Sequence, residues 1–178
     1  MLSLLQFTDD IALTEYEDID KAALIRWLND PLIAQNTLTI PNPYTPADAD
    51  WWIQNIREQK DKSGRCNNWA IRHKTEGLIG GIGIFFHSGP DGHFDELGYW
   101  IAAPYRGRGL MSLIVKKFSR WQFEIRPKLL RLEGWVFTHN LASMKVLEKA
   151  GYQREGLSPK RFFKNGQAMD AVLFGQVR

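Results

Sequence analysis

The chain reads as an α+β protein built on a mixed, mostly antiparallel sheet of seven strands flanked by about four helices. Three observations lead there. Short strand-like runs alternate with stretches of helical apolar period. The helical stretches open or close on capping residues, prolines and glycines placed where helix ends need them. The chain finishes on two strand-like runs joined by Asn165-Gly166, a two-residue hairpin turn.

Taken in order, Ile11 to Tyr16 is a short strand, and 18–29 is a helix with an apolar stripe at Ala22, Ala23, Ile25, Trp27 and Leu28, stopped by Pro31. The segment up to Pro46 holds Pro31, Pro41, Pro43 and Pro46 and reads as loop. Thr45, Pro46 and Asp48 give a Thr-x-x-Asp capping box with proline at the first helical position, opening a helix to about Lys60. Strands follow at 69–72, 78–86 and 94–101. After a Gly-rich turn, Leu110, Ile114, Phe118, Trp121 and Ile125 repeat at helical spacing until Pro127. Residues 130–137 form a strand, Asn140 caps a helix to Ala150, Gly151 takes the C′ position, and 152–163 and 169–177 make the closing hairpin.

A length of 178 residues fits one domain over 1–178, and 44% apolar content with 12% aromatics fits a folded core. A net charge of +3 without a basic tract gives no support for a nucleic-acid partner. One cysteine, Cys66, rules out an internal disulfide, fits a reducing compartment, and reads as a bystander thiol. The N-terminal run Met1 to Asp10 lacks a cationic leader, and no apolar run approaches the roughly 18 residues that span a bilayer. The expectation is a cytoplasmic protein with no membrane partner, a monomer or homodimer. His73, His87, His93 and His139 show no metal-ligand spacing, so no metal is assigned. Lys116, Lys117 and Arg120 read as a solvated helix face.

The stretch from Tyr99 to Met111 carries most of the chemistry. A strand runs through Arg106-Gly107-Arg108-Gly109 into a helix, so free backbone N–H groups and the positive helix end gather at one point. The glycines allow φ values that other residues resist and let a ligand approach the backbone. Arg106 and Arg108 can add charge-assisted bonds of roughly 1.5–3 kcal/mol each. A few such contributions supply much of the roughly 8 kcal/mol that micromolar affinity represents. Standing alone, a Gly-x-Gly is better read as a plain turn with solvated arginines. Neither the Walker pattern nor a dinucleotide Gly-x-Gly-x-x-Gly fits, because Leu110, Met111 and Ser112 follow.

Glu96-Leu97-Gly98-Tyr99-Trp100-Ile101, Arg106 to Met111, Asn140-Leu141-Ala142-Ser143 and Gly151-Tyr152 together change that balance. With these motifs the chain resembles the GNAT superfamily of acetyl-CoA-dependent N-acetyltransferases, and within it the RimJ/RimL branch that acetylates N-termini of ribosomal proteins. Trp69-Ala70-Ile71, Leu78 to Gly83, Glu155-Gly156, Asn165-Gly166-Gln167 and Asp170 extend the resemblance over most of the chain. It implies a sheet splayed between the fourth and fifth strands and acetyl-CoA as co-substrate. The coenzyme would be held by Trp100, Ile101, Ala102, Arg106, Gly107, Arg108, Gly109, Leu110, Met111, Asn140 and Ser143. A backbone N–H near Trp100 to Ala102 would face the thioester oxygen. Two departures stand out: Met111 occupies the last small position of the loop, and Leu147 stands where many members carry a tyrosine acid.

Ser143 therefore becomes the candidate proton donor to the departing thiolate, although Asn140 and Ser143 equally serve as an ordinary cap and third helical residue. The base glutamate of one family member falls, by ungapped counting, on Phe162, so that role does not carry over. Glu96 is the first candidate base, with Glu133 and Glu155 also on or beside strands. A structural carboxylate explains Glu96 as well. Tyr44 and Trp52, and Glu133, are candidate substrate contacts. Trp51 and Trp52 cannot share one helix face, so one packs and the other is available to a cleft.

An α-amine, with a reference pKa near 7.7–8.0, is roughly a tenth neutral at pH 7, whereas a lysine near 10.4 is neutral at about one part in 2,500. A chain lacking the strand glutamate thus fits an N-terminal α-amine acceptor reached by direct transfer in a ternary complex. A small-molecule amine (polyamine, aminoglycoside or amino acid) is the alternative acceptor, and a coenzyme-binding module without turnover is the alternative outside enzymes.

Overall fold

The computed structural model describes residues 4–87 and 92–178, so the start of the N-terminal run lies outside them. Two compact units make up the chain, and one strand runs from the second into the first.

The first unit comprises residues up to Ile84 together with Gly98–Arg106. It holds β1 (Leu5–Thr8), β2 (Ile11–Thr14), a 3-10 turn (Asp18–Asp20), α1 (Lys21–Leu28), α2 (Pro31–Asn36), α3 (Pro46–Ser63), β3 (Asn68–His73), β4 (Gly77–Phe85, to Ile84) and the end of β5 (Phe94–Ile101). Strands β1 to β4 pair antiparallel in sequence order. Leu24, Leu28, Ile53 and Ile56 form one apolar cluster with Tyr16, Ala70 and Leu78, which is how the helical stripes find their partner. Arg72 on β3 grips Asp20 with two bonds of 2.7 Å, and Asp20 is only 1% exposed. A buried pair of this kind is costly to break because one partner would be left charged and alone.

Two elements of this unit differ from the sequence expectation. β1 is an added strand, so the sheet has eight strands in the order β1-β2-β3-β4-β5-β6-β8-β7. The proline-rich segment read as loop contains α2, giving five α-helices among the described residues. Pro31 sits at its first position and Asp30 caps it, so the proline there starts a helix instead of preventing one.

The second unit comprises Phe85–Leu97 and Gly107–Arg178. It contains the start of β5, α4 (Leu110–Ile125), β6 (Arg131–Phe137), α5 (Leu141–Ala150), β7 (Gln153–Lys164) and β8 (Gln167–Val177). β6 and β8 pair antiparallel along the whole of β6, and β7 folds back on β8 through Asn165-Gly166, both at positive φ as the hairpin turn requires. β5 pairs with β6 in parallel at Phe94, Asp95 and Glu96 alone, although the strands are eight and seven residues long. This short pairing is the splay expected between the fourth and fifth of the seven anticipated strands. The core is drawn from Ile114, Val115 and Phe118 of α4, Leu132 and Val136 of β6, Leu147 of α5, and Val172 and Phe174 of β8.

Candidate active site

The end of β5 is held by its neighbour in a definite orientation. Ala102 donates its N–H to Ile79 O at 2.8 Å, and a Cβ on Gly80 would come within 2.7 Å of Trp100 O. Along a strand, backbone polar groups alternate sides. Trp100 and Ala102 thus turn their N–H groups toward β4, and Ile101 turns its N–H to the opposite edge. Of the amides from Trp100 to Ala102, among which one is expected to face the thioester oxygen, that of Ala102 is bonded to β4. Trp100 is anchored as well, since its indole and the Tyr16 hydroxyl crowd the space over Gly81 so closely that a Cβ there would overlap both.

Beyond Ala102 a 3-10 turn (Ala103–Tyr105) leads into the Gly-rich corner. Gly107 and Gly109 have φ of 75° and 74°, left-handed values that any other residue adopts only with strain. A Cβ on either would meet nothing within 4 Å, so conformation, not crowding, selects glycine, and the space over the corner is open. Gly109 is the N-cap of α4 and supplies no side-chain bond, whereas Asp30, Thr45 and Asn140 cap α2, α3 and α5. No side chain caps the first N–H groups of α4, and an uncapped helix N-terminus is a place where an anion can bind. Arg108 and both glycines are exposed and Leu110 is half-buried, but Met111 is buried, which answers the large residue at the small loop position: its side chain points into the core.

Arg106, expected as a phosphate ligand, makes two contacts within the protein. Its Nη1 lies 2.7 Å from Asp30 Oδ2, and its Nε donates to Ile101 O at 3.1 Å. Two of its three guanidinium nitrogens are thereby engaged by protein groups.

On α5, Asn140 Oδ1 accepts the Ser143 N–H at 3.1 Å, so the cap reading of this pair is realised in the structure. The cap leaves Asn140 Nδ2 outside that bond. Leu147, at the family's tyrosine position, is 1% exposed and belongs to the core.

Glu96 is half-buried, with Oε2 3.1 Å from His87 Nε2. The imidazole stacks on Phe94 at 5.8 Å between centroids, and the His87 N–H donates to Asp95 Oδ1. Asp95 itself is buried and ion-paired with Arg126; burial raises its carboxyl and Arg126 opposes the shift. Sequence reasoning gave His87 no role. No spacing rule anticipates its pairing with Glu96. Glu133 is the register partner of Glu96, and its Oε1 accepts from Arg131 Nε at 2.6 Å. Arg131 also binds Glu155 and holds that carboxyl below its ordinary range.

The substrate candidates separate. Tyr44 is 6% exposed, burial pushes its phenol pKa up, and it belongs to the core cluster. A role for it in contacting an acceptor does not suit that burial. Trp52 is half-buried, edge-on to Tyr16 at 6.4 Å, while Trp51 is 63% exposed, so one tryptophan of the pair packs and the other faces solvent. Phe162 packs edge-to-face on Trp135 and Phe137. Among the described residues no three His, Cys, Asp or Glu side chains gather as a metal site, and no helix is long and apolar enough to cross a membrane.

Residues 10–153 match the acetyltransferase (GNAT) domain family. The chain belongs to that family. It is 39% identical over 114 residues to the "Probable N-acetyltransferase YjcK" of Bacillus subtilis (strain 168), a match spanning 64% of this chain and 62% of that protein. In fold it is similar to a ribosomal-protein-S5-alanine acetyltransferase from Vibrio fischeri, with TM-score 0.82, 21% identity, and coverage of 99% and 97% of the two chains. It is similar also to RimL, a ribosomal L7/L12 alpha-N-protein acetyltransferase in complex with coenzyme A, with TM-score 0.83, 17% identity and 97% coverage of both.

Proposed function

We propose that the chain is an acetyl-CoA-dependent N-acetyltransferase that moves the acetyl group directly to a primary amine in a ternary complex, and that its acceptor is the α-amine of a protein N-terminus. The observation that carries this reading is the open N-terminus of α4 behind two left-handed glycines. Its backbone N–H groups would bind the coenzyme diphosphate, with Arg108 adding charge.

The amine attacks the thioester carbonyl, a C–N bond forms, and negative charge develops on oxygen. The Ile101 N–H, turned away from β4, would be the donor to that oxygen. Glu96 takes the proton that the amine loses, with His87 fixing its carboxylate. As the C–S bond breaks, the Ser143 hydroxyl passes its proton to the thiolate and recovers one from water, and the proton that Glu96 took is released to neutralise the hydroxide left behind. Asn140 reaches the pantetheine arm through Nδ2. The α-amine is favoured because a useful fraction is already neutral at pH 7. The ribosomal-protein acetyltransferases similar in fold, one of them named as an alpha-N-protein enzyme, support this acceptor class.

The test is thiol release from acetyl-CoA with matched peptides. Peptides with a free N-terminus are expected to react faster than N-blocked peptides carrying lysine. Faster lysine acetylation overturns the acceptor, and absence of calorimetric heat with coenzyme A overturns the enzyme.

A further inference from the structure

Asp30 spends its two carboxylate oxygens on two different elements. Oδ1 accepts the Leu32 N–H at 2.9 Å and caps α2, and Oδ2 meets Arg106 Nη1 at 2.7 Å. Pro31 follows it, and a residue before proline is confined to extended backbone, as the ψ of 119° at Asp30 reflects. Its own N–H is tied to Trp27 O and its carbonyl accepts from Ile33 N–H. The carboxylate is thus aimed by a backbone held on both sides.

Arg106 is tied in the same manner. Nη1 goes to Asp30 and Nε to Ile101 O, so two edges of one planar group are anchored to the first unit. A guanidinium held at two edges cannot swing to a phosphate without losing both bonds. With side chains 29% and 22% exposed, Arg106 and Asp30 are less screened than a pair in open water. Arg106 immediately precedes Gly107, so this clamp fixes the backbone where the left-handed corner begins.

We propose that Asp30 is a positioning residue for the coenzyme corner: through Arg106 it presets the Gly107–Gly109 backbone, so that the α1–α2 junction controls acetyl-CoA affinity. This rests on the coenzyme reading above. On this account Arg106 acts as a tether and leaves the diphosphate to the backbone amides and Arg108. Sequence variation at the α1–α2 junction then tunes the donor side of the reaction.

Serine caps helices as aspartate does. Asp30→Ser therefore keeps the cap of α2 and removes only the partner of Arg106, while Asp30→Asn keeps the cap and a neutral acceptor. Coenzyme A affinity by calorimetry and steady-state kinetics with acetyl-CoA are measured on the full chain and on both variants, with Arg106→Ala and the Asp30→Ser/Arg106→Ala double variant. Asp30→Ser is expected to raise the coenzyme Kd and KM about tenfold with kcat within about twofold, and Asp30→Asn to fall between. The double variant should be no weaker than the weaker single, because both changes remove one link. An unchanged or tighter Kd for Asp30→Ser, or fully additive losses in the double variant, overturns the proposal. Failure of the unsubstituted protein to bind coenzyme A overturns the underlying reading and this one with it, whereas normal binding by that protein and by Asp30→Ser sinks the positioning role alone.

Discussion

Glu96 and Glu133 are direct register partners at the last point where β5 and β6 pair. Partners in register share a face of the sheet, so two carboxylates stand side by side there. Each is attended by a different group, Glu96 by His87 and Glu133 by Arg131. The attendants separate their duties. Glu133 is engaged by a guanidinium in a charge-assisted bond, whereas Glu96 meets an imidazole ring nitrogen, a group that either donates or accepts a hydrogen bond.

Glu96→Gln is accordingly expected to lower kcat by about a hundredfold at pH 7, the low end of what general-base catalysis contributes, since part of an α-amine needs no base. Glu133→Gln should cost less than about tenfold, since Arg131 keeps its bond to Glu155. Steady-state kinetics on both variants check the ranking. A larger loss at Glu133 would move the base to β6.

Gly109→Ala isolates the backbone requirement of the corner. A Cβ there meets nothing within 4 Å, so the substitution introduces no clash, only the strain of φ at 74°. The cost should be about 1 kcal/mol, or a Tm lower by about 2–4 °C for a chain of this size. If the corner relaxes away from left-handed geometry to relieve the strain, coenzyme A binding weakens further than stability does. Calorimetric titration beside a melting curve measures both.

Much of this architecture is written locally and could be read so. The Thr45–Asp48 capping box, the Asn140 cap and the Asn165-Gly166 turn all appear where their residue types demand, because each is decided within four residues. β1 was missed because its four residues show a single buried side chain, Phe7, which is too little for a period to register. α2 was missed because four prolines in sixteen residues look like loop, although Pro31 occupies the one helical position that suits it. At the site, the glycine corner was legible, but the fate of Arg106 and Glu96 was not. Both depend on partners, Asp30 and His87, that no spacing rule anticipates.

Tyr152 and Ser119 share a buried hydrogen bond of 2.8 Å that ties the entry of β7 to α4. Burial raises the phenol pKa, so the tyrosine is neutral and one hydroxyl donates to the other. Tyr152→Phe leaves the serine oxygen without that partner and should cost about 1–3 kcal/mol. Adding Ser119→Ala removes the orphaned group, and the double variant should lose less than the sum of the singles, with a coupling of about 0.5–3 kcal/mol. Urea denaturation of the four proteins measures the cycle. Additive losses would mean the bond contributes nothing of its own.

Glu155 gives the fold a signed pH dependence. Its hydrogen bonds to Arg131 hold the carboxyl below its ordinary 4.5, with burial opposing only in part. A depressed carboxylate stabilises the folded state fully above the unfolded value and loses that contribution as pH falls through the folded one. Glu155→Gln should therefore melt below the unsubstituted protein at pH 7, with the difference shrinking below pH 4.5 and vanishing once the carboxyl is protonated in both states. The side chain is about one third exposed, so added salt should narrow the difference at neutral pH as well. Thermal melts from pH 7 to pH 3 at two ionic strengths test both dependences together. A difference that stays constant across that range would show that the substitution acts through packing, and that the charge on Glu155 contributes nothing.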